Sequence, residues 1–366
     1  MVARLLITLF ISLAMLLPSV SGMAAMEPTR TLVDQLGRTV ILPRQVQRII
    51  PMGGATRFVV YLQAFELVVG VEAMEGRMPA TAGRPYNMAI RSQAAKLPVI
   101  GEGRQKPVNP EAIIALRPDL IVTAESDRGQ ADKLSRITGS PVLALDYGGW
   151  GVLKPDKIKE ALNLLGRALG REKRATELVD YINSMQQEFK RKIPADSAEQ
   201  VYIGAVSQRG VHGITSTDAD YFPLLAARGT NLAQRLGKHG HLFIDKEQLL
   251  VWNPAILLLD GGGLKLVGED YRQHHNFYER LAAVKNSRVY LTLPYNNYHT
   301  NLELALANSW YIAKILYPAR FADTDPAKKT DELCKKFAGI TCYEQLRQEF
   351  GGFGRLQLDG MKIHAN

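Results

Sequence analysis

The sequence predicts an α/β fold of two similar lobes, each built around a parallel sheet, and three features predict it. The first is a pattern written twice: residues 109–122 read NPEAIIALRPDLIV and residues 245–259 read DKEQLLVWNPAILLL. In each, a glutamate (Glu111, Glu247) opens a short apolar helical turn that stops at Pro118 or Pro254, because proline cannot continue a helix. The second is the unbroken aliphatic run after each proline, which reads as a strand buried on both faces, as in a parallel sheet. The third is the alternation of such runs with helical stretches, which calls for helical crossovers. Two lobes leave a cleft between them, an architecture suited to clamping a ligand.

In chain order, the opening MVARLLITLFISLAMLLPSVSGMAAM has a basic n-region at Arg4, an apolar core from Leu5 to Leu17, a break at Pro18 and a small-x-small site at Gly22-Met23-Ala24. This is a cleavable signal peptide over 1–24, its apolar run being too short to span a bilayer. No cysteine follows the cleavage site, so a free periplasmic protein is expected rather than a lipid-tethered one. The first lobe is expected over 25–152. TLVDQLGRTVILP (31–43) alternates around a Gly-Arg turn as a hairpin does. Residues 48–73 give a strand, a turn at Gly53-Gly54, a helix and a second strand; 121–126 and 142–150 give two more.

An inter-lobe helix is expected over 153–193. Ile158, Leu162, Leu165, Leu169, Leu178, Ile182, Met185 and Phe189 keep helical spacing, and no proline falls between Pro155 and Pro194. Unbroken over 154–192, it would run about 58 Å, with Gly166 and Gly170 its weakest points. The second lobe (194–325) has strands at 201–207, 255–263 and 288–294, and helices at 219–229 and 302–318. Residues 326–366 form a charged helical extension and a tail, whose final ten or so residues are expected to be poorly ordered. Cys334 and Cys342, in LCKKFAGITC, are expected to pair as a disulfide in an oxidising compartment.

The formal charge is +9 and falls to +8 when 1–24, which carries only Arg4, is removed. The basic residues are scattered rather than interleaved with aromatics, which excludes a nucleic-acid partner. No G-x-S-x-G turn, phosphate loop, dinucleotide fingerprint or H-E-x-x-H is present, and the DGGG at 260–263 lacks the following Gly-Lys-Ser/Thr. A doubly wound enzyme is therefore the weaker alternative, and no catalytic residue or cofactor is expected. His239, His241, His274 and His275 raise bare-metal capture, but their glycine-rich or polar settings favour solvated loops, and no metal site is assigned.

Taken together, DQLGRTVILPRQVQRIIPMG, PVNPEAIIALRPDLIV and GTNLA followed by IDKEQLL resemble the periplasmic binding proteins of ABC importers for iron complexes and cobalamin, from about Thr31 to Pro318. The resemblance implies two rigid Rossmann-like lobes joined by one long helix, a ligand between them, a monomer, and membrane permease subunits as partners. It also implies that Glu111 and Glu247 dock onto those subunits; alone, each only gains about 0.3–1 kcal/mol from lying in a helix's first turn. In such a fold the cleft is lined from the C-terminal ends of strands. Here those positions hold Met52, Arg104, Glu125, Tyr147, Trp150, Arg209, Tyr221, Tyr295, Tyr298 and His299. Aromatic faces with arginines suit an anionic iron–siderophore chelate; a corrinoid, haem, or an oxyanion such as molybdate are the alternatives.

Overall fold

The computed structural model describes residues 28–79, 81–103, 106–124, 127–148, 153–194 and 199–364. The expected signal peptide lies outside them, as do Arg104, Glu125 and Trp150. The first lobe opens with an antiparallel hairpin of β1 (Thr29–Val33) and β2 (Thr39–Pro43). Its turn is fastened by Asp34, which accepts from the amides of Leu36 and Arg38 and pairs with the Arg38 guanidinium at 2.6 Å. Behind it, β3 (Ile49–Met52), β4 (Leu120–Thr123) and β5 (Val142–Ala144) form a parallel sheet in that order. Ile50 pairs with Ile121, and Ile121 with Val142. Nearly every residue of these strands is buried because helices cover both faces, which is why they read as unbroken aliphatic runs. The second strand expected within 48–73 is reduced to isolated bridges at Val68 and Val71.

The second lobe holds β6 (Gln200–Gly204), β7 (Ser216–Asp218), β8 (Thr230–Asn231), β9 (His241–Phe243), β10 (Ile256–Asp260) and β11 (Val289–Thr292). The chain ends in β12 (Gly354–Gln357) and β13 (Lys362–His364). The main sheet has the order β13-β12-β11-β10-β6-β8, parallel from β11 to β8 and antiparallel in its last two strands. The tail expected to be poorly ordered is thus part of the sheet: Leu356 alternates inward against the core, and β13 pairs with β12. A disulfide joins Cys334 to Cys342. Among the described residues no helix is long and apolar enough to cross a membrane.

The single helix expected over 154–192 is two helices, Pro155–Leu169 and Glu172–Lys192. Gly170 adopts φ +66°, and the Arg171 amide donates to the Gly166 carbonyl at 2.7 Å. That left-handed glycine closes a helix, and here the chain doubles back. Lys159 Nζ then reaches Asn183 Oδ1 at 3.1 Å, and a Cβ on Gly166 would lie 2.7 Å from the Ala175 Cβ. The apolar spacing survives the reversal because both helices face the same core, so periodicity alone could not register it. The second helix, about 31 Å long, touches both lobes. Arg174 near its start donates to the Tyr61 carbonyl of the first lobe at 3.0 Å. Phe189 near its end packs on Trp310 of the second, ring centroids 4.9 Å apart.

Candidate inter-lobe binding site

The strands of both sheets end toward each other, and the loops that follow them meet. On the first lobe β3 ends at Met52, and the chain turns through Gly53 and Gly54 at φ +58° and +80°. The Gly53 amide donates to Glu72 Oε2 at 3.0 Å. Gly54 needs to be glycine for a second reason, since a Cβ there would lie 2.6 Å from His299 Cδ2. His299 belongs to the second lobe, in the loop after β11. That loop takes left-handed backbone at Tyr298 (φ +48°) and His299 (φ +69°), a conformation non-glycine residues hold only when surroundings enforce it.

The enforcing group is Arg57, which sequence reasoning missed. From the helix Thr56–Tyr61 it donates to the Gly54 carbonyl at 3.1 Å and to the carbonyls of Tyr298 and Thr300, and it is almost wholly buried. One guanidinium thereby fixes the glycine turn of one lobe and the strained loop of the other. Nothing in TRFVVY marked it, because an arginine in a short apolar helix reads as a solvated side chain. Around it Tyr61 donates to Glu303, Tyr298 donates to Glu72, and the Tyr147 hydroxyl hydrogen-bonds His299 Nδ1. If Tyr147 donates, the imidazole proton sits on Nε2. Burial, followed by the neighbouring Glu72 charge, holds the Tyr298 hydroxyl well above the usual phenol range.

Of the ten candidates, Tyr147, Tyr298 and His299 are therefore gathered at one inter-lobe junction, while Met52 directly precedes its glycine turn and packs on the first-lobe cluster around Ile50 and Ile121. Tyr221 and Tyr295 form a separate pair in the second lobe, fully buried with centroids 5.4 Å apart, so neither offers a ring face to an open cleft. Beneath them lie two buried carboxyls. Burial pushes Asp260 up to about 7 against an amide bond from Gly262, and Asp218 up to about 6. Arg209 lies exposed on the loop after β6.

The histidine pairs do not converge. His239 sits beside Asp220 at 3.2 Å, His274 beside Asp270 at 2.8 Å, and His275 beside Glu279 at 3.1 Å. His241 bonds Ser216 Oγ at 2.8 Å. Among the described residues no group of three or more His, Cys, Asp or Glu is placed to hold a metal ion.

Glu111 and Glu247 are exposed at equivalent points of matched helices, Pro110–Leu116 and Lys246–Trp252. Asn109 and Asp245 cap them by accepting from Ala112 and Gln248 amides, Ile113 and Leu249 anchor them in the core, and Arg117 and Asn253 end them at φ +44° and +42°. The pattern written twice in the sequence is one structural unit used twice.

Residues 59–295 match the sequence model of a family described as periplasmic binding protein. The chain is 26% identical over 350 residues to the molybdate-binding protein MolA of Haemophilus influenzae, covering 89% of this chain and 95% of that one. Its fold is similar to that of MolA bound to molybdate, with a TM-score of 0.64 at 20% identity over 85% of this chain and 98% of the other. It is also similar to the TroA-like periplasmic binding protein FepB from Veillonella parvula, with a TM-score of 0.67 at 21% identity over 86% and 97%.

Proposed function

The chain belongs to the periplasmic binding protein family, and from that premise we propose that its cargo is a small oxyanion of the molybdate class. It is a substrate-binding component of an ABC importer and not an enzyme. The observation that carries the cargo reading is the close fit between lobes: His299 packs on Gly54, and a Cβ on Gly103 would lie 2.8 Å from the Tyr298 hydroxyl. Tyr147, Tyr221, Tyr295 and Tyr298 are all buried against protein. A haem or a ferric siderophore needs exposed ring faces and a wide opening, so it would require the 295–301 loop to withdraw. A compact tetrahedral anion needs only a few N–H and O–H donors in a small polar space, and His299, Tyr147 and the glycine turn would serve it by exchanging the Tyr147–His299 and Gly53–Glu72 bonds for bonds to the anion. The similarity to MolA along nearly its whole length supports the same cargo class. Within this reading the protein is a periplasmic monomer that presents Glu111 and Glu247 to the permease.

The test is titration of the purified protein, by calorimetry, with molybdate, tungstate, sulfate, a ferric siderophore, haem and cobalamin. Molybdate and tungstate should bind, and His299→Ala should weaken them at least about tenfold, the scale of one lost charge-assisted bond. Tight binding of haem or a ferric chelate, with no response to molybdate, would overturn the oxyanion assignment.

A further inference from the structure

The family match ends at residue 295, yet the chain beyond the second lobe's last large helix returns to touch the first lobe. The helix Pro326–Ala338 sets Phe337 against Tyr61 at 5.3 Å, and the Glu332 carboxylate accepts from Tyr181 on the inter-lobe helix at 2.7 Å. After the disulfide, the helix Tyr343–Phe350 reaches the first-lobe loop at 81–83. Glu349 accepts from Thr81 Oγ1 at 2.5 Å and from the Ala82 amide at 2.7 Å. Phe350 stands between the lobes. A Cβ on Gly83 of the first lobe would lie 3.5 Å from its ring tip, and one on Gly261 of the second would lie 2.8 Å from its carbonyl oxygen. Gly261 directly follows Asp260, the last residue of β10, so this wedge lies at the strand ends that face the cleft. From there the chain enters β12 and is hydrogen-bonded to β11.

We propose that residues 319–364 are an inter-lobe strap, in which Phe350 fixes the spacing of the lobes at one end of the cleft and Glu349 ties it there, making both positioning residues for cargo retention. The strap is anchored on the second lobe by sheet pairing and on the first by the two hydrogen bonds of Glu349 and by two rings, Phe350 at Gly83 and Phe337 on Tyr61. Opening the cleft therefore has to break the Glu349 tie and lift Phe350 from Gly83. The strap follows from the contacts alone; only its effect on molybdate rests on the cargo reading above.

The experiment compares the full-length protein with Glu349→Ala, Phe350→Ala, Phe350→Leu and Thr81→Val. Hydrogen exchange at the Ala82 amide and the radius of gyration by small-angle scattering are read without ligand, and the molybdate dissociation rate by stopped flow. Glu349→Ala should expose the Ala82 amide and speed release about two- to fivefold, the range of an exposed charged contact. Phe350→Ala should enlarge the radius of gyration and speed release roughly tenfold, with Phe350→Leu restoring most of the loss, as expected for apolar contact area. Glu349→Ala and Thr81→Val should not add, because they remove one interaction. Unchanged exchange, radius and release in the alanine variants would overturn the strap. A wild type that binds no molybdate would sink the cargo reading while exchange and scattering still decide the strap.

Discussion

Replacing Gly54 by alanine tests the closed junction directly, and Gly139 supplies the control. Both glycines hold positive φ, +80° and +70°. A Cβ on Gly139 meets nothing within 4 Å, whereas one on Gly54 would lie 2.6 Å from His299 Cδ2 and 3.1 Å from Cγ. Gly139→Ala should therefore cost only the left-handed backbone term, roughly 1–2 kcal/mol. Gly54→Ala carries that same term and must also push the imidazole off the turn. Overpacking a tight site adds about 1–3 kcal/mol, and losing the Tyr147–His299 bond adds about 0.5–1.5 kcal/mol. The excess over the control is thus about 1.5–4.5 kcal/mol. Urea titrations at matched m-value read this as a difference in midpoint between the variants, and calorimetry reads the accompanying loss of molybdate affinity. Equal midpoints for Gly54→Ala and Gly139→Ala would show that His299 does not rest on Gly54 in solution, and the small-cargo argument would fall with it.

Two further outcomes are expected. Glu111→Arg combined with Glu247→Arg should abolish cargo uptake in cells while calorimetric affinity stays near wild type, since both lie on exposed helix turns; interfacial charges set orientation and encounter more than affinity, and normal uptake by the double variant would remove the docking role. For pH, burial holds Asp260 near 7 and Asp218 near 6 in the folded state, above the unfolded value of about 3.9. The stability they contribute is fully present below that unfolded value and is lost as pH rises through the folded ones. Asp260→Asn should flatten the decline between about pH 4 and 7 and gain on wild type above it; parallel urea-midpoint curves for the two proteins across that window would refute the assignment.

The repeated pattern made the architecture legible because its parts are local. A capping Asn109 or Asp245, a glutamate in the first turn, a buried Ile113 or Leu249 and a terminating proline are all set within a dozen residues. Met52, Tyr147, Tyr298 and His299 were legible as strand-end residues for the same reason. What was not legible depends on partners distant in sequence. Arg57 matters because it meets carbonyls more than two hundred residues away, and no local spacing announces that. Tyr221 and Tyr295 sit at strand ends like the others, but they face one another in the core. The turn at Gly170 hid inside an intact apolar period, and the tail was undervalued because its Gly-rich composition says nothing about the open side of β11.

That open side gives the last two strands a consequence beyond packing. Without β12 and β13, the parallel core would end at β11 with a row of unpaired amides and carbonyls, a template on which another chain could pair. The antiparallel return covers it and passes the edge to β13, only three residues long, with Lys362 and His364 turned outward. At the opposite side the sheet stops at β8, a strand of two residues. Edges this short, one of them bearing a lysine, give a neighbouring molecule few backbone groups to pair with.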